Sequence, residues 1–149
     1  MDDVADALDE MAGLVLRHLT GREGLSITAL ASLARLQREG PLRLTTLATA
    51  EAVSQPSMSQ LVQRLERHGL VSRISDPEDG RASLVALTEP GRALLAARRD
   101  DRHRRLAELL AALPEEDAAA LRLAMNVALP VVRRLVDAAR DPSSQPAGA

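Results

Sequence analysis

None of the 149 residues is Phe, Tyr or Trp, and none is Cys. Any core must therefore be built from Leu, Val, Ala, Ile and Met, which interlock by shape and offer no ring for a base or a flat ligand to stack on. Stacking platforms for single-stranded nucleic acid are excluded. So are disulfides, thiolate metal sites and cysteine redox sensing. Hydrophobic residues still make up 46% of the chain against 27% charged, the balance of a folded domain and not of a disordered one. The length suits one globular protomer. No apolar run approaches the roughly 18 residues that cross a bilayer. The acidic start, Met1-Asp2-Asp3, lacks the layout of a secretory signal, so the expected compartment is the cytoplasm.

Apolar spacing predicts the order of elements. Val4, Leu8, Met11, Ala12, Val15 and Leu19 recur at helical intervals, and the stretch 20–24 breaks that helix. Ser26 is placed to cap a second helix carrying Ile27, Leu30, Leu33 and Ala34, which ends near Gly40-Pro41. A short helix over 44–52 precedes a helix opened by Ser54, with Pro56 in its first turn and Gly69 just past its end. Its buried stripe is Met58, Leu61, Val62 and Leu65. Strands over 70–75 and 82–87 flank a polar loop, 76–81, and form a hairpin. Thr88 then caps a long helix over 89–112. Pro114, Glu115, Glu116 and Asp117 open a last helix with the stripe Ala118, Leu121, Met125, Ala128, Leu129, Val132 and Val136, which Pro130 is expected to bend. The fold class read from this order is mainly α with a small β-hairpin wing. A winged helix-turn-helix is flanked by N- and C-terminal helices too apolar to stand alone, which reads them as dimerisation helices. Residues 1–140 form one protomer, with 26–89 the DNA-binding part and 1–20 and 90–140 the dimerisation helices. Residues 141–149, rich in Pro, Ser and Gly, read as a disordered tail.

A helix lying in the major groove needs one face bound to its own domain and another carrying hydrogen-bonding side chains. Opposite the apolar stripe of the helix that Ser54 opens lie Ser59, Gln60, Gln63, Arg64 and Arg67, with Gln55 and Ser57 at its N-terminal end. Glu66 is the one acid nearby. Gln can pair bidentately with adenine, and Arg with guanine or phosphate. Arg81 at the hairpin tip suits a narrow minor groove, held there by Asp76 or Asp79. Arg73 is a candidate phosphate contact. Arg98, Arg102 and Arg105 share one face of the long helix, with Arg99 and Arg104 near it, and read as ion-paired or solvated. Bulk charge contributes little to DNA affinity: the net charge is −2, and residues 43–81 carry five Arg against five acids. Every one of the 19 basic residues is Arg, a bias that suggests a GC-rich genome.

The run LTTLATAEAVSQPSMSQLVQRLERHGLVSR, followed by DPEDGRASLVALTEPGR, resembles the MarR family of bacterial regulators, and the outer helices fall in that family's order. The resemblance implies an obligate homodimer whose first and last two helices intertwine; Leu8, Val15, Leu121, Met125, Leu129 and Val132 are the candidate dimer contacts. It implies a palindromic operator in double-stranded DNA, with each recognition helix in a major groove and each wing in the adjacent minor groove. Ser54, Gln55, Ser57, Ser59, Gln60 and Arg64 match the recognition helix, Arg81 the wing arginine and Asp79 its acidic partner. Repression relieved by a small phenolic or anionic effector, bound between the dimer region and the winged helix, is the family's usual mode. Two positions depart from the pattern. Arg43 stands where a Ser or Thr usually caps the short helix, and Gly80 replaces the first of two wing arginines.

Other classes fit less well. His18, His68 and His103 are far apart, and no metal-spaced cluster, phosphate loop or nucleophile motif occurs. The sequence therefore calls for no enzyme activity, no metal, no cofactor and no membrane partner. The alternative of a different kind is a winged-helix scaffold that binds protein without specific DNA recognition, which the balanced charge of 43–81 allows.

Overall fold

The computed structural model describes residues 2–19 and 24–140, with no account of the side chains of Asp2 and Arg140. Most of the expected break at 20–24 and the expected tail at 141–149 lie outside the described residues. The chain forms two compact units, Met1–Arg104 and Arg105–Ala149.

In the first unit, α1 (Asp2–Leu14) runs into a π-helical turn, Val15–Leu19, which buries Leu19. Helix α2 (Ile27–Glu39) begins where the Ser26 Oγ accepts the Ala29 N–H at 3.1 Å, and stops at Gly40, whose φ of 83° lets its N–H reach the Leu36 carbonyl at 3.0 Å. Its buried residues are Ala29, Ser32, Leu33 and Leu36. Ile27, expected on that stripe, is 78% exposed. It sits two residues before Ala29, about 200° around the helix axis, and so on the opposite face.

Helices α3 (Leu44–Ala50) and α4 (Gln55–Arg67) complete the helix-turn-helix. Leu47 and Ala48 of α3 meet Leu33 and Leu36 of α2 and Met58, Leu61, Val62 and Leu65 of α4 in one cluster, closed below by Val71, Val85 and Leu87. Each of these larger side chains contributes about 1.5–3 kcal/mol by leaving water. The expected hairpin is present as β2 (Val71–Ser75) and β3 (Ser83–Leu87), antiparallel, with Arg73 opposite Val85 and Ser75 opposite Ser83. A strand with no counterpart in the sequence reading, β1 (Leu42–Arg43), pairs with the other edge of β3, Leu42 facing Val85 and Arg43 facing Leu84. Two residues are too few to show an alternating pattern, so only the pairing reveals this strand.

Helix α5 (Glu89–Ala111) is stitched to the end of α4. The Thr88 hydroxyl donates to the Gly69 carbonyl at 2.6 Å and accepts the Gly91 N–H at 3.2 Å, while the Thr88 N–H donates to the Leu70 carbonyl at 3.1 Å. Gly91 is buried against that turn, where a Cβ would lie 2.3 Å from the Leu70 carbonyl oxygen. In the second unit, α6 (Glu115–Arg140) opens with three acids in its first turn and continues through Pro130. Most of its apolar residues are exposed, among them Leu123 at 68% and Val127 at 70%, while Ala118, Ala128 and Val132 are half-buried.

The collision at Gly91 involves backbone and cannot be relieved by a rotamer change. Gly91→Ala is expected to destabilise the protein by about 1–3 kcal/mol, read as a lower urea midpoint at unchanged slope. An unaltered midpoint would show that the α4–α5 junction yields freely.

Candidate nucleic-acid interface

Helix α4 is amphipathic by arrangement as well as by sequence. Ser54, with φ −68° and ψ 152°, leaves the helix at its N-terminus; its Oγ accepts the Ser57 N–H at 3.3 Å and donates to the Ser57 Oγ at 2.9 Å. Gln55, Ser57, Gln60, Gln63, Arg64 and Arg67 are exposed, Ser59 is half-buried, and the four apolar residues of the stripe are buried. At the far end His68 turns its Nδ1 onto the Arg64 carbonyl at 2.7 Å.

The turn before α4 is held in place from two sides. Ala52 adopts φ 52°, in the left-handed region that costs a non-glycine residue about 1–2 kcal/mol, and the next N–H, of Val53, returns to the Ala48 carbonyl at 3.0 Å. From α2, Arg35 donates its Nε to Glu51 at 2.8 Å and its Nη1 to Glu39 at 2.9 Å. The side chain of Glu51 is 12% exposed, so this clamp is more than a surface pair. No spacing rule would have linked Arg35 to Glu51; the packing of α2 on α3 does.

The loop between β2 and β3 closes on itself. The Asp76 N–H donates to the Ala82 carbonyl at 3.0 Å, and the Ala82 N–H to the Asp79 carbonyl at 2.9 Å. The Asp76 carboxylate is buried, at 6% exposure, and is fully engaged. Its Oδ1 accepts the Glu78 N–H at 2.9 Å, and its Oδ2 accepts both Nε and Nη2 of Arg43, at 3.0 and 2.7 Å. The Asp79 carboxylate accepts the backbone N–H of Arg81 at 3.1 Å. The guanidinium of Arg81 is exposed and forms no hydrogen bond or ion pair among the described residues.

A polar helix presented by a helix-turn-helix, with an unpaired arginine at the tip of an adjoining hairpin, is the geometry of a DNA reader. The MarR family model matches residues 25–83, from the start of α2 to the start of β3. An HTH-type transcriptional regulator of Mycobacterium tuberculosis is 36% identical over 117 residues, which cover 78% of this chain and 82% of that protein. This chain belongs to the MarR family. A transcriptional regulator of Thermotoga maritima has the same fold, with a TM-score of 0.80 at 22% identity over 92% of this chain and 99% of that one. A crystal structure from Mycobacterium tuberculosis gives a TM-score of 0.69 at 26% identity, covering 85% and 90% of the two chains. As a MarR-family protein the chain is a transcription regulator with a DNA-binding winged helix, and it is not an enzyme.

Within this MarR-family protein, the structure corrects the expected partner of the wing arginine. Asp76 does not hold Arg81; it holds Arg43, 33 positions earlier in the chain. Asp79 does engage Arg81, but through the backbone, which shapes the turn and leaves the side chain free. Arg73, on β2, lies 3.6 Å from Glu66 of α4, so the one acid near the helix's polar face is matched by a cation from the sheet. In α5, Arg104 pairs with Asp101 one turn away and Arg92 with Glu89 at 3.1 Å.

The Glu78 N–H, and then the Arg43 guanidinium, hold the Asp76 carboxyl below the usual carboxylate range. A depressed folded-state pKa stabilises the fold above the ordinary Asp pKa of about 3.9, and that stability is lost as pH falls through the folded value. Asp76→Asn is therefore expected to lower stability by a constant amount across pH 5–8, with the gap to wild type closing below about pH 4. Urea titrations at a series of pH values measure it. A gap that does not narrow at all as the pH falls from about 5 to about 2 would mean that the loss is steric and owes nothing to the charge.

Proposed function

We propose that this regulator is a homodimeric repressor acting in the cytoplasm on a palindromic operator, with α4 in the major groove and the wing in the adjacent minor groove. The observation that carries the reading is the acid-poor face of α4 beside the unpaired guanidinium of Arg81. Gln55, Ser57, Ser59, Gln60, Gln63 and Arg64 are its base-edge and groove-wall candidates. Ser54, Arg67 and Arg73 are phosphate candidates, Arg81 is the minor-groove contact, and Asp79 shapes the turn that presents it.

Homodimerisation rests on α6. Residues 123–132 contain no charged side chain, and Leu121, Met125 and Leu129 on one face and Leu123, Val127 and Val131 on the other are all exposed. A helix apolar over so much of its girth requires cover. A second copy supplies it, with Val132 of α6 and, separately, Leu8 and Val15 as further candidate contacts. Dimerisation also answers the charge problem. A protomer with a balanced winged helix gains little from bulk electrostatics, but two linked copies raise affinity through effective concentration. Among relatives, a Pseudomonas putida protein, 41% identical over 66 residues covering 44% of this chain and 42% of that one, is named a repressor. A Streptomyces coelicolor regulator, 26% identical with a TM-score of 0.51, was solved with its natural ligand. These support repression relieved by a small molecule. In this chain such a ligand would be held by aliphatic side chains and arginines, since no ring is present to stack on it.

Fluorescence anisotropy with promoter and random duplexes, titrated with salt, tests the proposal. Affinity should fall by about 0.9 log units per log unit of salt for each phosphate neutralised. Arg81→Ala should weaken binding while sedimentation still shows a dimer. A flat salt response with no preference for the promoter would favour the protein-binding scaffold instead.

A further inference from the structure

The family pattern offers no role for Arg43, and the structure gives it an unusual position. It is the last residue of β1 and also the N-cap of α3, with φ −66° and ψ 146°, yet its side chain makes no capping hydrogen bond. A Ser or Thr there would contribute about 1 kcal/mol to α3. The guanidinium instead reaches across to the buried carboxylate of Asp76, at the base of the wing loop.

The need for this contact follows from the sheet. A two-stranded hairpin twists and pivots easily, and needs a third strand or a packed face to hold its direction. Here β1 supplies a third strand only as far as Arg43 opposite Leu84; at the next residue the backbone turns into α3. Beyond that level, toward Ser83 and the loop, β3 has no strand on its β1 side. The Arg43 side chain carries the attachment past the point where the β1 backbone leaves. Its two hydrogen bonds to a single carboxylate oxygen restrict rotation of the joint as well as its length.

We propose that Arg43 is the positioning residue of the wing: through Asp76 it latches the loop to the start of α3, so that Arg81 and α4 are presented to DNA at a set spacing. The same pairing occupies the one buried carboxylate near the loop's own cation. With Arg43 gone, Asp76 would be left with backbone N–H partners alone, those of Glu78 and Asp79, and Arg81, five residues away, would become the next cation able to neutralise it. The consequence for DNA rests on the minor-groove role proposed above for Arg81; the latch itself does not.

Arg43→Gln, Arg81→Ala and the double variant, made in the full-length protein, test the two separately. Amide hydrogen exchange reads the latch: in Arg43→Gln the Asp76 and Ala82 amides should exchange on the order of tenfold faster, with the α2–α4 core unchanged. Anisotropy reads its use. Arg43→Gln should bind duplex on the order of tenfold more weakly, and the double variant no more weakly than Arg81→Ala alone, because both act through one contact. Arg43→Lys, which keeps one charge-assisted bond, should recover part of the loss. Wing exchange identical to wild type overturns the proposal. So do losses that multiply in the double variant with a salt slope shallower by about one, which would make Arg43 a direct phosphate contact. If Arg81→Ala binds as wild type, the minor-groove reading fails while faster wing exchange in Arg43→Gln still upholds the latch. Should Arg43→Gln not fold, the nearly isosteric Asp76→Asn breaks the same bonds and gives the same readouts.

Discussion

Everything the interface does depends on the contact of Met58, Leu61, Val62 and Leu65 with α2, α3 and the sheet. These four side chains hold α4 by one face and so decide which residues are left outside. The core contains no ring, so it is locked by the fit of branched aliphatic chains, and methyl-sized changes in it should be felt. Where the fit alone would leave freedom, polar ties take over. Arg35 to Glu51 fixes the turn, Thr88 to Gly69 fixes the exit from α4, and Arg43 to Asp76 fixes the wing.

Those ties also explain how a segment with equal numbers of acids and arginines can face DNA. Glu51 is taken by Arg35, Glu66 by Arg73 and Asp76 by Arg43, while Asp79 faces a backbone N–H and Glu78 stays exposed in the wing loop. Arg64, Arg67 and Arg81 make no such pairs among the described residues, and all three are exposed. Net charge counts every group alike; the fold sorts them into those cancelled at close range and those left to act on a partner. Interactions at 3 Å outweigh a segment average because they are less screened than charges spread over a surface.

The second unit poses the opposite problem. Its helices carry apolar residues that its own residues leave uncovered, with Leu123 and Val127 the most exposed. A cleft of about 460 Å³ between the end of α5 and the first half of α6 is lined by Leu110, Leu113, Leu121 and Met125, with Arg122 and Asn126 beside them. Under the proposed homodimer, that surface would join stability to DNA affinity, since both would then depend on the copy that covers α6.

Periodicity and capping made the order of elements legible, because local spacing dictates which face of a helix turns inward, and Ser26, Ser54, Gly40 and Gly69 mark where helices begin and end. The polar face of α4 could be read for the same reason: on a helix, the stripe that is buried determines the one that is not. Ile27 shows the limit of that reading, since one shift of the stripe turned a presumed core residue to the surface. What only the tertiary structure decided were the pairings across long sequence distance: β1 on β3, Arg35 on Glu51, and Arg43 on Asp76. Hydrophobic spacing carries no record of these. They arise when packed elements bring side chains 16 or 33 positions apart to within hydrogen-bonding distance. The absence of aromatic residues was plain from the first reading; that aliphatic packing is reinforced by partly buried ion pairs where the domain must hold its shape could be seen only in the fold.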